Sequence, residues 1–279
     1  MPFSASLSTS PMTPRSVLIT GAAGNVGRLL RPLLGRHFAM KVTDIVDFRS
    51  EEGETKIIGD LSSADFCRHA VSGVDAIVHL AGLVGPDFDF EETIEPNYRA
   101  VLNLLEVSRF HGVRRFVFAS SHHAVGLYPS SGRYHECAPP APDGYYGLSK
   151  AFGEAACSMY ARRYGIRTML LRIGNADPKV VDGRRERLWT SARDMAQLID
   201  IGLRHTEVEC DIVYAISNCP NPIFDNRRAE ELGYRPVDFA VENRATNFKN
   251  LNELSSEAVA KVGGFFAINE LPAPSGRKA

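Results

Sequence analysis

The chain has little that would tie it to a membrane, a nucleic acid or a metal. No stretch of its 279 residues approaches the about 20 apolar residues that a bilayer-spanning helix needs. Net charge is −1, so nothing in the charge balance suggests nucleic acid or an anionic membrane as partner. The cysteines Cys67, Cys137, Cys157, Cys210 and Cys219 are scattered, odd in number and without CxxC spacing. That argues against a structural metal site and favours a reducing, cytoplasmic compartment. No internal repeat is present. Residues 1–14 are rich in Ser, Thr and Pro and lack the apolar core of a secretory signal, so they read as a disordered tail. Residues 271–279 read as a polar tail. The composition between them, 44% hydrophobic and 23% charged over the chain, is that of an ordinary soluble protein. The length suits a single domain over 15–270, with a small C-terminal substrate lobe mainly in 174–270.

What is present is a repeated strand–helix alternation. Residues 15–20 (RSVLIT) form a β-branched run ending in Gly21-Ala22-Ala23-Gly24-Asn25-Val26-Gly27. Val26, Leu29, Leu30, Leu33 and Leu34 then recur at helical spacing, and 40–46 (MKVTDIV) reads as a second strand. A glycine turn between a strand and a helix lets backbone approach a pyrophosphate, with the helix N-terminus supplying N–H donors. Gly21, Gly24, Asn25, Val26 and Gly27 are therefore candidate dinucleotide contacts. Asp44, at the end of the second strand, suits a ribose diol and repels a 2′-phosphate, which favours NAD over NADP. Strands at 56–58, 75–79, 115–119, 168–172 and 211–216 follow, with helices at 62–70 (capped by Ser62), 91–111, 147–164, 191–202 and 226–232. The pattern predicts an α/β fold: a Rossmann-type, doubly wound parallel sheet. Ligands of such sheets lie at the carboxyl ends of the strands. Asp60 and Leu61, Leu80-Ala81-Gly82, Ser121 and Asn175 all fall there. Residues 182–187 (DGRRER) read as a charged loop.

Tyr146 and Lys150 stand four apart in a predicted helix, on one face. A phenol titrates near pH ~10, too high for acid–base work at neutral pH. An adjacent ammonium favours the phenolate and makes the pair a candidate general acid/base.

A GxxGxxG turn, a strand ending in Ser120-Ser121 and the YxxxK pair together resemble the extended short-chain dehydrogenase/reductase superfamily, which includes NAD-dependent epimerases and dehydratases. Residues 118–129 (FASSHHAVGLYP), 141–147, 171–174 (LRIG) and 189–194 (WTSARD) resemble uronate dehydrogenases. That resemblance implies NAD-dependent oxidation of the C1 hydroxyl of a cyclic uronic acid to a lactone. It implies Tyr146 as base, Lys150 lowering its pKa and holding the nicotinamide ribose, and Ser121 bonded to the reacting oxygen. Asn97 would hold water or backbone near Lys150. Val84, His122, His123 and Asn175 would face the sugar, and Arg184 its carboxylate, with Arg185 and Arg187 as close alternatives. Val84 and Asn175 stand where Ser is expected, and His122 where Asn is expected. These departures leave the reaction type and open the substrate. The resemblance also implies a homodimer. Two other readings share the first half of the chain: a nucleotide-sugar epimerase or dehydratase with bound NAD, and a non-catalytic dinucleotide-binding regulator.

Overall fold

The computed structural model describes residues 14–273, so most of both expected tails lies outside the described residues. In chain order the elements are β1 (Ser16–Thr20), α1 (Asn25–Leu34), β2 (Ala39–Asp44), β3 (Glu54–Ile58), α2 (Ala64–Val71), β4 (Ala76–His79), α3 (Phe90–Thr93) and α4 (Ala100–His111). After them come β5 (Arg115–Ser121), α5 (Tyr145–Tyr164), β6 (Arg167–Ile173), β7 (Val180–Asp182), α6 (Gly183–Glu186), α7 (Ala192–Arg204) and β8 (Cys210–Ala215). The last three are α8 (Arg227–Glu231), β9 (Arg244–Lys249) and α9 (Ser256–Ala260).

Seven strands form one sheet in the order β3-β2-β1-β4-β5-β6-β8, and every pairing is parallel. Parallel connections place helices on both faces, so the strands must be apolar on both sides. Val17, Leu18 and Ile19 in β1 are accordingly all buried. On one face Val17 and Ile19 pack with Leu30 and Leu34 of α1 and Met195, Leu198 and Ile199 of α7. On the other, Leu18 packs with Ala70 of α2, Leu104 and Leu105 of α4 and Cys157 of α5. The order of strands reverses between β1 and β4, which opens the ligand crevice at their carboxyl ends.

Several local expectations need correction. The second strand stops at Asp44, whose carboxylate accepts from the amides of Ile45 and Val46 and turns the chain. Ser63, not Ser62, caps α2, because its hydroxyl reaches the Phe66 amide. The helical run at 91–111 is broken by a π turn at Ile94–Arg99. The Tyr–Lys helix starts at Tyr145, earlier than expected. Residues 182–187 are not a loop: Asp182 accepts from the Arg185 amide and caps the single turn α6, after β7 has paired with β9. Beyond the large sheet, residues 174–273 hold two small apolar clusters, one around Tyr214, Ile223, Phe224 and Val262, the other around Val180, Trp189 and Ala240.

Candidate active site

Two adjoining clefts meet at the carboxyl edge of the sheet, and Val26, Leu80, Val84, Ala176 and Asp177 line both. The first, about 680 Å³, runs over the glycine turn. Gly21 has φ +70, and a Cβ there would lie 2.6 Å from the Ala81 amide nitrogen, so only glycine lets β1 and β4 come this close. Gly24, Asn25, Val26 and Gly27 complete the turn along the cleft wall. Asp44 also lines it, and its Oδ2 accepts from the Ala23 amide at 2.9 Å, which locks the carboxylate against the turn. Asp60, Leu61, Ala81 and Gly82 line the same cleft. Asp60 accepts from the Ser62 amide and shapes its own turn. A cradle of glycine backbone at a helix N-terminus, with a carboxylate at the next strand end, fits a dinucleotide.

The second cleft, about 430 Å³, contains Ser121, His122, His123, Tyr146, Lys150, Asn175 and Arg184. It thus brings together residues that lie up to 63 positions apart in the chain (121 to 184). Alternation along β5 separates the two serines. Ser120 donates to Glu154 at 2.5 Å inside the protein, whereas Ser121 faces the cleft and accepts from the His123 amide at 3.2 Å. Glu154 is in turn gripped by Arg172 through two hydrogen bonds of 2.9 Å. This buried pair fixes α5 to β6 directly beneath the site.

Tyr146 and Lys150 are both buried on α5. Lys150 Nζ lies 5.5 Å from the centre of the Tyr146 ring and 5.1 Å from that of Phe118. Burial dominates both groups. It pushes the phenol up to about 12, opposed by the Ser121 hydroxyl and reinforced by Asp143. It pulls the amine down to about 8. In this apolar setting burial disfavours the charged form of each group. Asn97 sits in the π turn. Its Oδ1 accepts from the Leu83 amide at 2.6 Å, and its Nδ2 donates to the Leu83 carbonyl and to Ser149 Oγ, both at 3.0 Å. It clamps backbone beside Gly82, where a Cβ would lie 3.5 Å from Lys150 Nζ.

The three candidate arginines separate clearly. Arg187 donates to the carbonyls of Asn221 and Ser130. Arg185 pairs with Asp182. Arg184 donates to the Val262 carbonyl at 2.9 Å and has no carboxylate partner among the described residues. Burial and the Arg185 charge lower its pKa, and the nearby Asp182 and Asp143 carboxylates oppose the fall. His122 donates from Nδ1 to the Ile173 carbonyl at 3.1 Å, leaving a buried Nε2 with no partner. Burial, together with His123 and Arg184, keeps His122 neutral. Asn175 donates to Asp177 at 3.0 Å while its Oδ1 has no partner. Val84 is 60% exposed where the two clefts meet. Sequence reasoning had singled out neither Phe265 and Phe266, which close the second cleft, nor Asp143, which contacts His123. Phe265 and Phe266 lie in a single 3-10 turn, Gly264–Ala267, too short for any periodicity to flag them.

The NAD dependent epimerase/dehydratase family matches residues 17–177. A uronate dehydrogenase of Pseudomonas putida is 40% identical over 266 residues, covering 94% of this chain and 98% of that protein. The solved glucuronic acid dehydrogenase of Chromohalobacter salexigens is 33% identical with TM-score 0.85, covering 93% of this chain and 98% of its own. A mutant uronate dehydrogenase of Agrobacterium tumefaciens, solved in complex with NAD, is 32% identical with TM-score 0.84, covering 92% and 98%. Likeness of this extent runs through both clefts and not the glycine turn alone, and the chain belongs to the NAD dependent epimerase/dehydratase family.

Proposed function

We propose that the protein is an NAD-dependent dehydrogenase that oxidises the C1 hydroxyl of a hexuronate to the lactone. The observation that carries this reading is Arg184: a guanidinium that forms no ion pair among the described residues, on the wall of the cleft that holds Ser121, Tyr146 and Lys150. A half-buried guanidinium on the cleft wall can receive an anion from outside, and its planar fork suits a carboxylate.

Gly21, Gly24, Asn25, Val26 and Gly27 hold the pyrophosphate, Asp44 the adenosine ribose, and Asp60 and Leu61 the adenine side. Leu80, Ala81 and Gly82 back the rest of the dinucleotide beside Asn97. When bound, NAD supplies the hydride acceptor. Ser121 donates to the C1 oxygen and Tyr146 takes its proton. Tyr146 and Lys150 act as one titrating pair. Lys150 sheds its proton at the pH to which burial brings it, about 8, and its neutral amine can then take the Tyr146 phenol proton as the phenol oxygen takes the one from the sugar. Lys150 also holds the nicotinamide ribose, and Asn97 fixes the Leu83 backbone and α5 on either side of it. His122, His123, Asn175 and Val84 face the sugar. Residues 174–270 serve as the substrate lobe of one domain spanning 15–270.

The chain works as a homodimer through the helices next to Asn97 and Tyr146, which leave Phe110, Leu148 and Met159 exposed. Light scattering after size exclusion tests this. A reducing, cytoplasmic setting fits five cysteines that are all free. No helix among the described residues is long and apolar enough to cross a membrane.

The deciding experiment follows NADH absorbance with glucuronate, galacturonate and their neutral counterparts glucose and galactose. The uronates are expected to be preferred. Equal rates on acid and neutral sugars would remove Arg184 from its role, and no NADH from any of them would remove the reading.

A further inference from the structure

A fully buried carboxylate sits in a cage of three glycines beside the reacting centre. Asp143 precedes the first turn of α5. Gly126, Gly147 and Gly263 come from three separate segments and all turn their Cα atoms toward it. A Cβ at Gly126 or Gly263 would overlap Oδ2, and one at Gly147 would lie 2.8 Å from Oδ1. The Gly263 amide donates to the Gly126 carbonyl at 2.9 Å and closes the cage. Oδ2 meets His123 Nδ1 at 2.6 Å, whereas Oδ1 has no hydrogen-bond partner. Burying an unpartnered carboxylate oxygen is costly, and an apolar group of similar size would fill the hole without that cost. What the carboxylate alone provides is its bond to His123.

His123 is held on its other sides as well. Its ring stacks on Phe266 at 4.1 Å and 24° and meets the edge of Tyr146 at 5.6 Å. Its main-chain amide donates to Ser121 Oγ. With Nδ1 turned to Asp143, Nε2 is the nitrogen left for the cleft that His123 lines.

We propose that Asp143 is a positioning residue, which keeps the His123 hydrogen on Nδ1 so that Nε2 meets the substrate as an acceptor for a second sugar hydroxyl. The proposal rests on the dehydrogenase reading above and adds which nitrogen, in which state, touches the sugar.

The other titratable groups facing the pair are His122, Arg184 and Tyr146. Burial and Arg184 hold the His123 ring down to about 3, so it stays neutral. Burial raises Asp143 to about 7, and Arg184 and His122 oppose the rise. Above that pH the carboxylate accepts from Nδ1–H and Nε2 is bare. Below it the carboxyl carries the proton and donates to Nδ1, and the ring hydrogen moves to Nε2, which becomes a donor. The acceptor is therefore present above a pH of about 7 and lost as pH falls through it.

The test is a pH titration of the NAD-bound, 15N-histidine-labelled enzyme by NMR, paired with kinetics of Asp143→Asn. His123 Nε2 is expected to be bare at high pH and to gain hydrogen through pH of about 7. Asp143→Asn should abolish that transition, raise the sugar KM about tenfold and flatten its pH dependence. The NAD affinity should stay near the wild-type value. A wild-type His123 that keeps one Nε2 state across this range overturns the proposal. So does a variant whose losses are shared equally among turnover, sugar KM and NAD affinity. Should Asp143→Asn fail to fold, the wild-type titration decides alone. Absence of NADH formation with every sugar strikes the dehydrogenase reading, whereas the NMR titration tests the tautomer independently.

Discussion

The wall of the cleft built from β1, β2 and β4 and the wall built around Arg184 differ in what they present to a ligand. The first offers backbone. Gly21, Gly24, Ala81 and Gly82 expose main chain at close range, and Asp44 braces the turn through the Ala23 amide. The second offers side chains, several with unspent capacity among the described residues: the Arg184 guanidinium, which donates to one backbone carbonyl, the Nε2 of His122 and the Oδ1 of Asn175. A backbone surface recognises what all NAD-dependent members share, the pyrophosphate and ribose. A side-chain surface can be altered one residue at a time; His122 and Asn175 lie on that side, and Val84 lies where the two clefts meet. Arg172 and Glu154 join the walls from below, since they tie β6 to the helix that carries Tyr146 and Lys150.

Four substitutions put this division at risk, the largest effect first. Tyr146→Phe stands at the seam and should lower turnover about a thousandfold while leaving NAD affinity intact, as read from NADH initial rates and NAD titration. A rate within tenfold of wild type would remove Tyr146 from the base role. In the wild type, turnover should rise with pH through about 8, where the buried pair sheds its proton, and level off above it. Arg184→Ala should raise the KM for a uronate about a hundredfold, the worth of charge-assisted hydrogen bonds, and leave neutral aldoses unchanged. Equal losses for both sugar classes would make Arg184 a structural residue. Gly21→Ala tests the opposite wall. The left-handed φ and the nearby Ala81 amide should cost about tenfold in NAD affinity, with the sugar KM unaltered at saturating NAD. Isothermal titration measures the first and steady-state kinetics the second. Val84→Ser is the mildest, about threefold in sugar KM, because the side chain is 60% exposed and one added hydroxyl bonds weakly there. A larger change would place the sugar nearer to β4 than the Arg184 reading has it.

How far each wall was legible follows from the same difference. The glycine turn, Asp44 and the strand ends are local: a tight turn needs glycine wherever it occurs, and period and chain length betray a parallel strand. Tyr146 and Lys150 were legible because helical spacing alone puts them on one face. The choice among Arg184, Arg185 and Arg187 was not: Asp182 takes Arg185 from three residues away, but Arg187 is taken by the carbonyls of Ser130 and Asn221, contacts made by distant segments. Asp143 stood in plain sight before Tyr145-Tyr146. Nothing local revealed that Gly126 and Gly263 would fold around it, because their spacing from it, 17 and 120 positions by residue number, obeys no period.

The sequence by itself determined the alternating fold, the dinucleotide turn, the preference for NAD and the Tyr–Lys pair, because each is a demand of backbone geometry within a few turns of chain. Only the tertiary structure decided which arginine is left free, which nitrogen of His123 faces the cleft, and that burial moves Tyr146 and Lys150 toward their neutral forms. Those are properties of desolvation and, for the most part, of partners brought together from separate segments of the chain.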